Sequence, residues 1–214
     1  MITIPNGATI AIAASYGAEK AISAVTNASP ALASLAVGHA VAEGDYIEVT
    51  SGWEHLCDKV VRAGIPSTND IPLLGIDSTS TALYPAGGGT GSIREILTWT
   101  QLTQILTAST SGGDQQFLEY QTLESDHKKR VPTFKNPISL AFTVADDPTL
   151  AGYLLACAAN DDKLKRAVKI TYLNGSVIVY NAYISADKTP TMTVNEVMAC
   201  GITLSLLAEP VRYA

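Results

Sequence analysis

Chemistry near neutral pH needs a histidine, a reactive thiol, a tuned carboxylate pair or a phosphate-cradling loop, and each would announce itself by residue type and spacing. His39, His55 and His127 are the only histidines. They lie far apart, at no spacing that would place two ligands on one metal, and loop or surface positions are expected for all three. Cys57, Cys157 and Cys200 each sit among apolar neighbours, which reads as small buried hydrophobes in a reducing compartment. Asp146-Asp147 and Asp161-Asp162 invite a metal or glycosidase reading. Neither pair has oxygen ligands alternating around a glycine, as a calcium loop requires. The start and the end of one helix account for them instead. Gly87–Gly91 has the glycines of a phosphate loop but no closing Lys-Ser/Thr, so a hinge is expected. No Gly-x-Ser-x-Gly elbow occurs. Trp53 and Trp99 could be sugar platforms, though a lone Trp more often anchors a core or an interface. No metal, no cofactor and no catalytic residue is expected.

The composition points the same way. Only 16% of the 214 residues are charged, against roughly 25% in typical soluble chains. A surface short of charge suits contact with protein, although abundant Ser and Thr also solvate. The formal net charge of −6 argues against a nucleic-acid reader, because phosphate affinity comes from Lys and Arg displacing counterions. The N-terminus lacks the basic-then-apolar pattern of a signal peptide, and no apolar run approaches a membrane span. A product made in the cytoplasm is expected.

The elements that could position side chains are mostly strands. Residues 8–14 follow the turn signal Pro5-Asn6-Gly7 and suit a first strand. Short strands are expected at Ala21–Thr26, Tyr46–Ser51, Asp58–Ala63 and Ile71–Ile76, spaced as in a small barrel or sandwich. Pro85–Ser92 reads as a flexible boundary, residues 93–107 as part strand and part extended loop, and Ser109–Asp114 as a second flexible tract. Gln116–Leu123 and the alternating Ile138, Leu140, Phe142 and Val144 read as strands. Asp147 as cap and Pro148 at the first turn should start a helix that ends near Asn160. Asp161 and Asp162 would oppose its dipole. Asn174-Gly175 between β-rich runs predicts a hairpin with a type I′ turn. A last pair is expected at 191–199 and 201–207.

One charge pattern stands out. From Glu95 to His127 there is no Lys or Arg, while Glu95, Asp114, Glu119, Glu124 and Asp126 are acidic; Lys128, Lys129, Arg130 and Lys135 follow at once. Adjacent patches of opposite sign suit head-to-tail contact between identical subunits. An acidic solvated face beside a basic loop explains them equally well.

Several ordered motifs of the second half resemble the tail tube proteins of long-tailed, non-contractile (siphovirus-type) bacteriophages. They are Trp99-Thr100, Ser111-Gly112-Gly113-Asp114-Gln115-Gln116-Phe117, Val131-Pro132-Thr133, Ala145-Asp146-Asp147-Pro148, Asn174-Gly175 and Glu209-Pro210-Val211-Arg212-Tyr213. They span Ile93 to the C-terminus. The first half is similar to a small β-module that recurs in phage tail proteins, through Ile22–Pro30, Glu43-Gly44-Asp45-Tyr46 and Leu74–Thr79.

The resemblance implies a mainly β fold, a sandwich or barrel with one flanking helix and a small N-terminal β-module. It implies a division into 1–19 (an N-terminal segment and first strand that can belong to the tube core), 20–86 (the module, on the outside), 87–113 (a long glycine-flanked loop) and 114–214 (the tube core). Hexameric rings would stack into a hollow conduit for the genome. The partners implied are further copies of the chain, a tape measure, tail tip and tail terminator proteins, and DNA in transit without sequence-specific binding. The place implied is the virion, assembled in the host cytoplasm. Candidate inter-ring loop residues are Gly87, Gly91, Glu95, Trp99 and Gly113. Glu119 and Glu124 are candidates for the lumen. Asp114, Asp126, Lys128, Lys129, Arg130 and Lys135 are candidates for charged subunit contacts. Other readings are a secretion-system tube, a head–tail connector, or a β-sandwich binding or adhesin module.

Overall fold

The computed structural model describes residues 6–214. Residues 1–5, where the absence of a signal peptide was in question, lie outside the described residues. The chain forms β1 (Thr9–Tyr16), β2 (Lys20–Val25), β3 (Ala31–Leu35), β4 (Tyr46–Ser51), β5 (Val60–Ala63), β6 (Asp70–Leu74), β7 (Gly91–Leu102), β8 (Ile105–Gly112), β9 (Gln115–Tyr120), β10 (Lys129–Lys135) and β11 (Ile138–Ala145). A single helix, α1 (Ala151–Asp162), separates these from β12 (Arg166–Thr171), β13 (Val177–Ala186), β14 (Ala199–Leu206) and β15 (Val211–Tyr213). The fold is mainly β with one flanking helix, as expected.

β7 organises the whole. Its first residues pair with β4 on one side and with β2 on the other, and β2, β3, β6, β5 and β4 follow in ladder order. That closes a six-stranded barrel, which leaves no open edge among its strands. The second half of β7, Ile96–Leu102, pairs instead with β1. From there a second sheet runs β7-β1-β12-β13-β14-β11-β8. The barrel strands β2–β6 are thus threaded between β1 and β7.

Period-two alternation sorts the side chains between two cores. Val168, Ile170, Tyr180, Ala182 and Ile184 face α1 and pack with Tyr153, Ala156 and Ala159. Ala167, Val179 and Val211 face the other way and join the barrel residues Ile47, Val49, Val60 and Ile93. Gly152 lets the helix backbone lie against the Gln101 carbonyl of β7, where a Cβ would clash.

Several expectations change on contact with the structure. The glycine-flanked stretch 87–113 is not a long loop; it holds β7 and β8. Gly89 and Gly91 serve close packing, not hinging. A Cβ on Gly91 would strike the Thr50 carbonyl, and one on Gly89 would press on the buried Trp53 indole and Val25. Trp53 Nε1 donates to Pro85 O (2.7 Å), which pins the tract to the barrel mouth. β3 was missed because Ala31–Leu35 is a run of small residues with weak strand signal. His39 is buried, its Nδ1 accepting from Val41 N at 3.2 Å. α1 begins at Ala151, later than Pro148; Asp147 Oδ1 accepts from Thr149 N and Oγ1 instead of capping the helix. Those two bonds hold its carboxyl below the usual carboxylate range. At the other end, Asp161 is offset by Lys188 (2.7 Å) and Asp162 by Arg166 (2.5 Å). The Asn174-Gly175 hairpin exists, but only Gly175 has positive φ (+84°). Asn174 stays on the ordinary side, so the turn is a three-residue loop and not type I′. Residues 191–198 form an exposed loop in place of a strand, with a lone bridge from Thr191 to Ala199.

A buried charge fastens barrel to sheet. Glu48 on β4 is 2% exposed. It meets Arg94 of β7 at 2.5 Å, Lys165 at 2.8 Å and Asn181 Nδ2 of β13 at 2.7 Å. Burial pulls the Lys165 ammonium down, but bonds to Asp58 and Glu48 outweigh it and leave the group above an ordinary lysine. Arg94 also stacks on Tyr16 (4.4 Å), whose hydroxyl accepts from Ala167 N at 2.8 Å. A second fastening is Tyr213, which accepts from Arg62 N (2.8 Å) and donates to Leu74 O (2.9 Å). Burial pushes its phenol up to about 12. Breaking a buried pair costs roughly 3–5 kcal/mol, and the lower end applies here because Lys165 keeps Asp58 at 2.6 Å. Glu48→Ala should therefore lower the denaturation midpoint by that equivalent in urea titrations; a loss under 1 kcal/mol would show that the cluster does not hold the barrel to the sheet.

Candidate assembly surface

Beyond β8 and β11 the chain continues as a two-stranded arm. Gly112 and Gly113 both have positive φ (+81° and +82°), which bends the ribbon where β8 passes into β9. A Cβ on Gly112 would collide with the Pro137 carbonyl on the returning strand. The arm itself is β9 against β10, with Glu119 opposite Arg130, Leu118 opposite Val131 and Phe117 opposite Pro132. Asn136 N donates to Asp114 O (3.0 Å) at its root. Lys135 also reaches Glu209 (2.6 Å) and so ties the root to the C-terminal segment. That ammonium holds the Glu209 carboxyl below the usual range.

Charge is largely settled within the arm. Arg130 donates to Glu119 Oε1 through Nε (2.8 Å) and an Nη (2.5 Å), while Lys128 approaches Glu119 at 3.7 Å. At the tip Asp126 meets His127 Nδ1 at 2.8 Å. Apart from Glu95, the acidic and basic runs of the sequence thus belong to one hairpin, with Glu119 facing Arg130 across it. All six candidates for charged contacts lie on this arm or at its root, and so do Glu119 and Glu124. Of the candidates for an inter-ring loop, only Gly113 does. Gly87 and Gly91 belong to the barrel mouth, and Glu95 lies on β7, its carbonyl accepting from Gly17 N at 2.8 Å. Trp99 is half-buried on β7, edge-on to Tyr46 (5.8 Å), with the Lys169 ammonium 4.6 Å from its ring.

The apolar side chains of the arm have no core to enter. Phe117, Leu118, Tyr120, Leu123, Val131 and Phe134 are all exposed, Phe134 at 66% and Leu123 fully. A hairpin alone is marginal in water, and an exposed apolar patch of this kind marks a contact surface. β8 is equally bare. Every residue from Leu106 to Gly112 is exposed, β11 flanks one side, and among the described residues no strand flanks the other. It carries no charge and no proline, and beyond an irregularity near Leu106 it has little that natural edge strands use to repel pairing. Its Leu-Thr-Ala-Ser-Thr-Ser run did carry strand propensity through its threonines, a signal obscured by the neighbouring glycines. Among the described residues no three metal-ligating groups converge.

An uncovered strand edge and an apolar arm are devices for binding protein, and the comparisons with known proteins give that surface its context. Residues 51–214 match the family of phage tail tube proteins. The chain belongs to that family. The match covers β5 to β15, hence the second sheet apart from β1, the helix and the arm. This tail tube family member is a structural component of the virion, and no described helix is long and apolar enough to cross a membrane. No curated protein matches it. Among solved structures it is similar to a chain of the anti-feeding prophage baseplate, with TM-score 0.41 and 11% identity over 56% of this chain and 86% of that one. A chain of the anti-feeding prophage cap gives TM-score 0.38 and 19% identity over 53% and 82%.

The arm tip, Gln121–Lys129, is held by few contacts and offers Lys128, Lys129 and Arg130 to solvent. Brief trypsin digestion of the dissociated subunit should cut first after one of these three, leaving fragments that stay associated. First cuts at Lys59, Arg62 or Lys165 in the packed body would mean that the arm is not the least protected segment.

Proposed function

We propose that the subunit closes into hexameric rings by sheet-edge pairing through β8, and that the rings stack into a hollow tube through which the phage genome passes. The observation that carries this reading is β8, an eight-residue edge without charge or proline and with no partner on its outer side among the described residues. Each backbone hydrogen bond gained by pairing that edge contributes about 1 kcal/mol net, repeated around a closed ring. Membership in the tail tube family supports the same role, of the non-contractile, siphovirus type.

The chemistry of the neighbouring strands suits a conduit. β8, β11 and β14 contain no Asp, Glu, Lys or Arg, so a wall built from them would not hold phosphates. DNA passes such a wall without condensing on it. Glu119 is held by Arg130 and Lys128, which leaves Glu124 as the acidic group of the arm free to face the lumen. The closed barrel of β2–β6 adds no pairing edge and sits on the outside. The arm, not the 87–113 segment, makes the contacts between rings. Tape measure, tail tip and terminator proteins meet the tube at its bore and its ends. The role is structural, without enzymatic activity, and assembly takes place in the host cytoplasm.

Adjacent residues of an edge strand point their amides alternately inward and outward. One of Ser109→Pro and Thr110→Pro therefore leaves the internal ladder intact and blocks the edge. That variant should keep the wild-type melting temperature while rings disappear from electron micrographs at concentrations where the wild type forms them. Rings from both variants would refute closure through β8.

A further inference from the structure

Besides the arm, one segment exposes four large apolar side chains within seven residues. The loop between β13 and β14 is exposed at every residue from Thr191 to Met198. It presents Met192, Val194, Val197 and Met198, exposed at 74%, 86%, 64% and 43%. Its position in the fold is informative. β11 and β14 pair from Ser139↔Ser205 to Ala145↔Ala199. The arm leaves this pair at the Ser139 end, because Ile138 lies opposite Gly112. The loop leaves it at the other end, where Asp146 N donates to Met198 O at 2.8 Å. Two unsatisfied apolar surfaces therefore stand at opposite ends of the same strands.

We infer that the 191–198 loop of one subunit is the seat for the β9–β10 arm of a second copy in the adjoining ring. This deepens the tube reading and rests on it. Two surfaces at opposite ends of one chain cannot meet within that chain, but they meet when copies are repeated along the strand direction, the head-to-tail arrangement that propagates. The dimensions agree. β11 has eight residues, about 27 Å of extended chain, and each strand of the arm adds about 20 Å or more. A copy displaced by the length of β11 brings its loop to the root of the arm, with the apolar side chains of β9 and β10 beside it.

Charge agrees as well. The loop end carries Asp146, Asp147, Asp187 and Glu196 against Lys188, which is already engaged by Asp161. Glu196 has no ion-pair partner among the described residues. The arm offers the cations, and Lys129 of β10 is likewise without an ion pair among the described residues. Glu196 with apolar side chains on one side faces Lys129 with apolar side chains on the other, a complementary pair that favours one direction of approach. The methionines suit such a seat, because their unbranched chains adapt to an incoming apolar surface.

The test uses the full chain carrying Met192→Asp and Val194→Asp, both at sites too exposed to disturb the core. Wild type should give rings and stacked tubes. The variant should give rings of unchanged diameter but mean tube length reduced roughly tenfold or more, since each lost contact is repeated around the ring. Phe117→Asp with Leu118→Asp should show the same stacking defect from the other half of the contact. In tubes co-assembled from Leu118→Cys and Val194→Cys subunits, oxidation should produce a crosslinked dimer of one chain of each kind, above the background of wild type and of each variant alone. Long tubes from the Met192/Val194 variant would overturn the assignment. Loss of its rings would also overturn it, by placing the loop within a ring. A wild type that forms neither rings nor tubes would instead remove the tube reading beneath it.

Discussion

The structure depends on one strand serving two sheets. β7 has its first residues in a closed barrel and its last in an open sheet, so neither can shift register without dragging the other. That continuity places Ile93 in one core and Leu102 in the other. It also forces the barrel against the sheet, where Glu48 from β4 arrives among Arg94, Lys165 and Asn181. A lone carboxylate there would be strongly destabilising. With three partners on three different segments it becomes a device that accepts one relative placement of barrel and sheet. Glycine is needed at the start of β7 for the same reason. At Gly91 the strand has neighbours on both sides and the Thr50 carbonyl against its α-carbon, leaving no room for a side chain.

What the sequence made legible follows what local pattern encodes. β11, β12 and β14 alternate with period two and β13 is a β-rich run after Asn174-Gly175; each lies within two residues of where its pattern puts it, whereas the strand expected at 191–199 is absent. The helix was legible in place, but its start was not. Asp147 looks like a cap in sequence, and only geometry shows it closing a turn on Thr149 two residues on. The stretch from 87 to 113 misled for a physical reason. Glycine signals freedom when its surroundings are unknown; at Gly89 and Gly91 it signals the opposite, an approach too close for a Cβ. Glu48 was invisible as a site because its partners come from positions 94, 165 and 181, which only the tertiary fold assembles.

The charged candidates teach a related lesson. In sequence the acidic run up to Asp126 and the basic run from Lys128 look like two patches. In space β9 and β10 zip Glu119 to Arg130, and much of the charge is spent inside the arm. Exposed pairs of this kind contribute about 1 kcal/mol or less, so they align the hairpin more than they stabilise it. What remains outward is apolar: Phe117, Leu118 and Phe134. Exposure is the property that sequence pattern cannot give, because an alternating strand reads as half-buried whether its apolar face meets its own core or another chain.

The distribution of open edges then limits how copies can join. A protein with long unprotected strands risks indiscriminate pairing. Here the first half of the chain forfeits that risk by closing into a barrel, while α1 packs across the second sheet. Hydrogen-bonding capacity for a neighbour is thereby concentrated on β8 and the arm that grows from it. The two features are consecutive in the chain and share the Gly112–Gly113 bend, so their relative direction is fixed by two residues that tolerate positive φ. In the proposed assembly, lateral pairing through β8 and longitudinal contact through the arm are separate surfaces. Separate surfaces can be satisfied one after the other, which would allow a ring to close before it becomes the floor for the next.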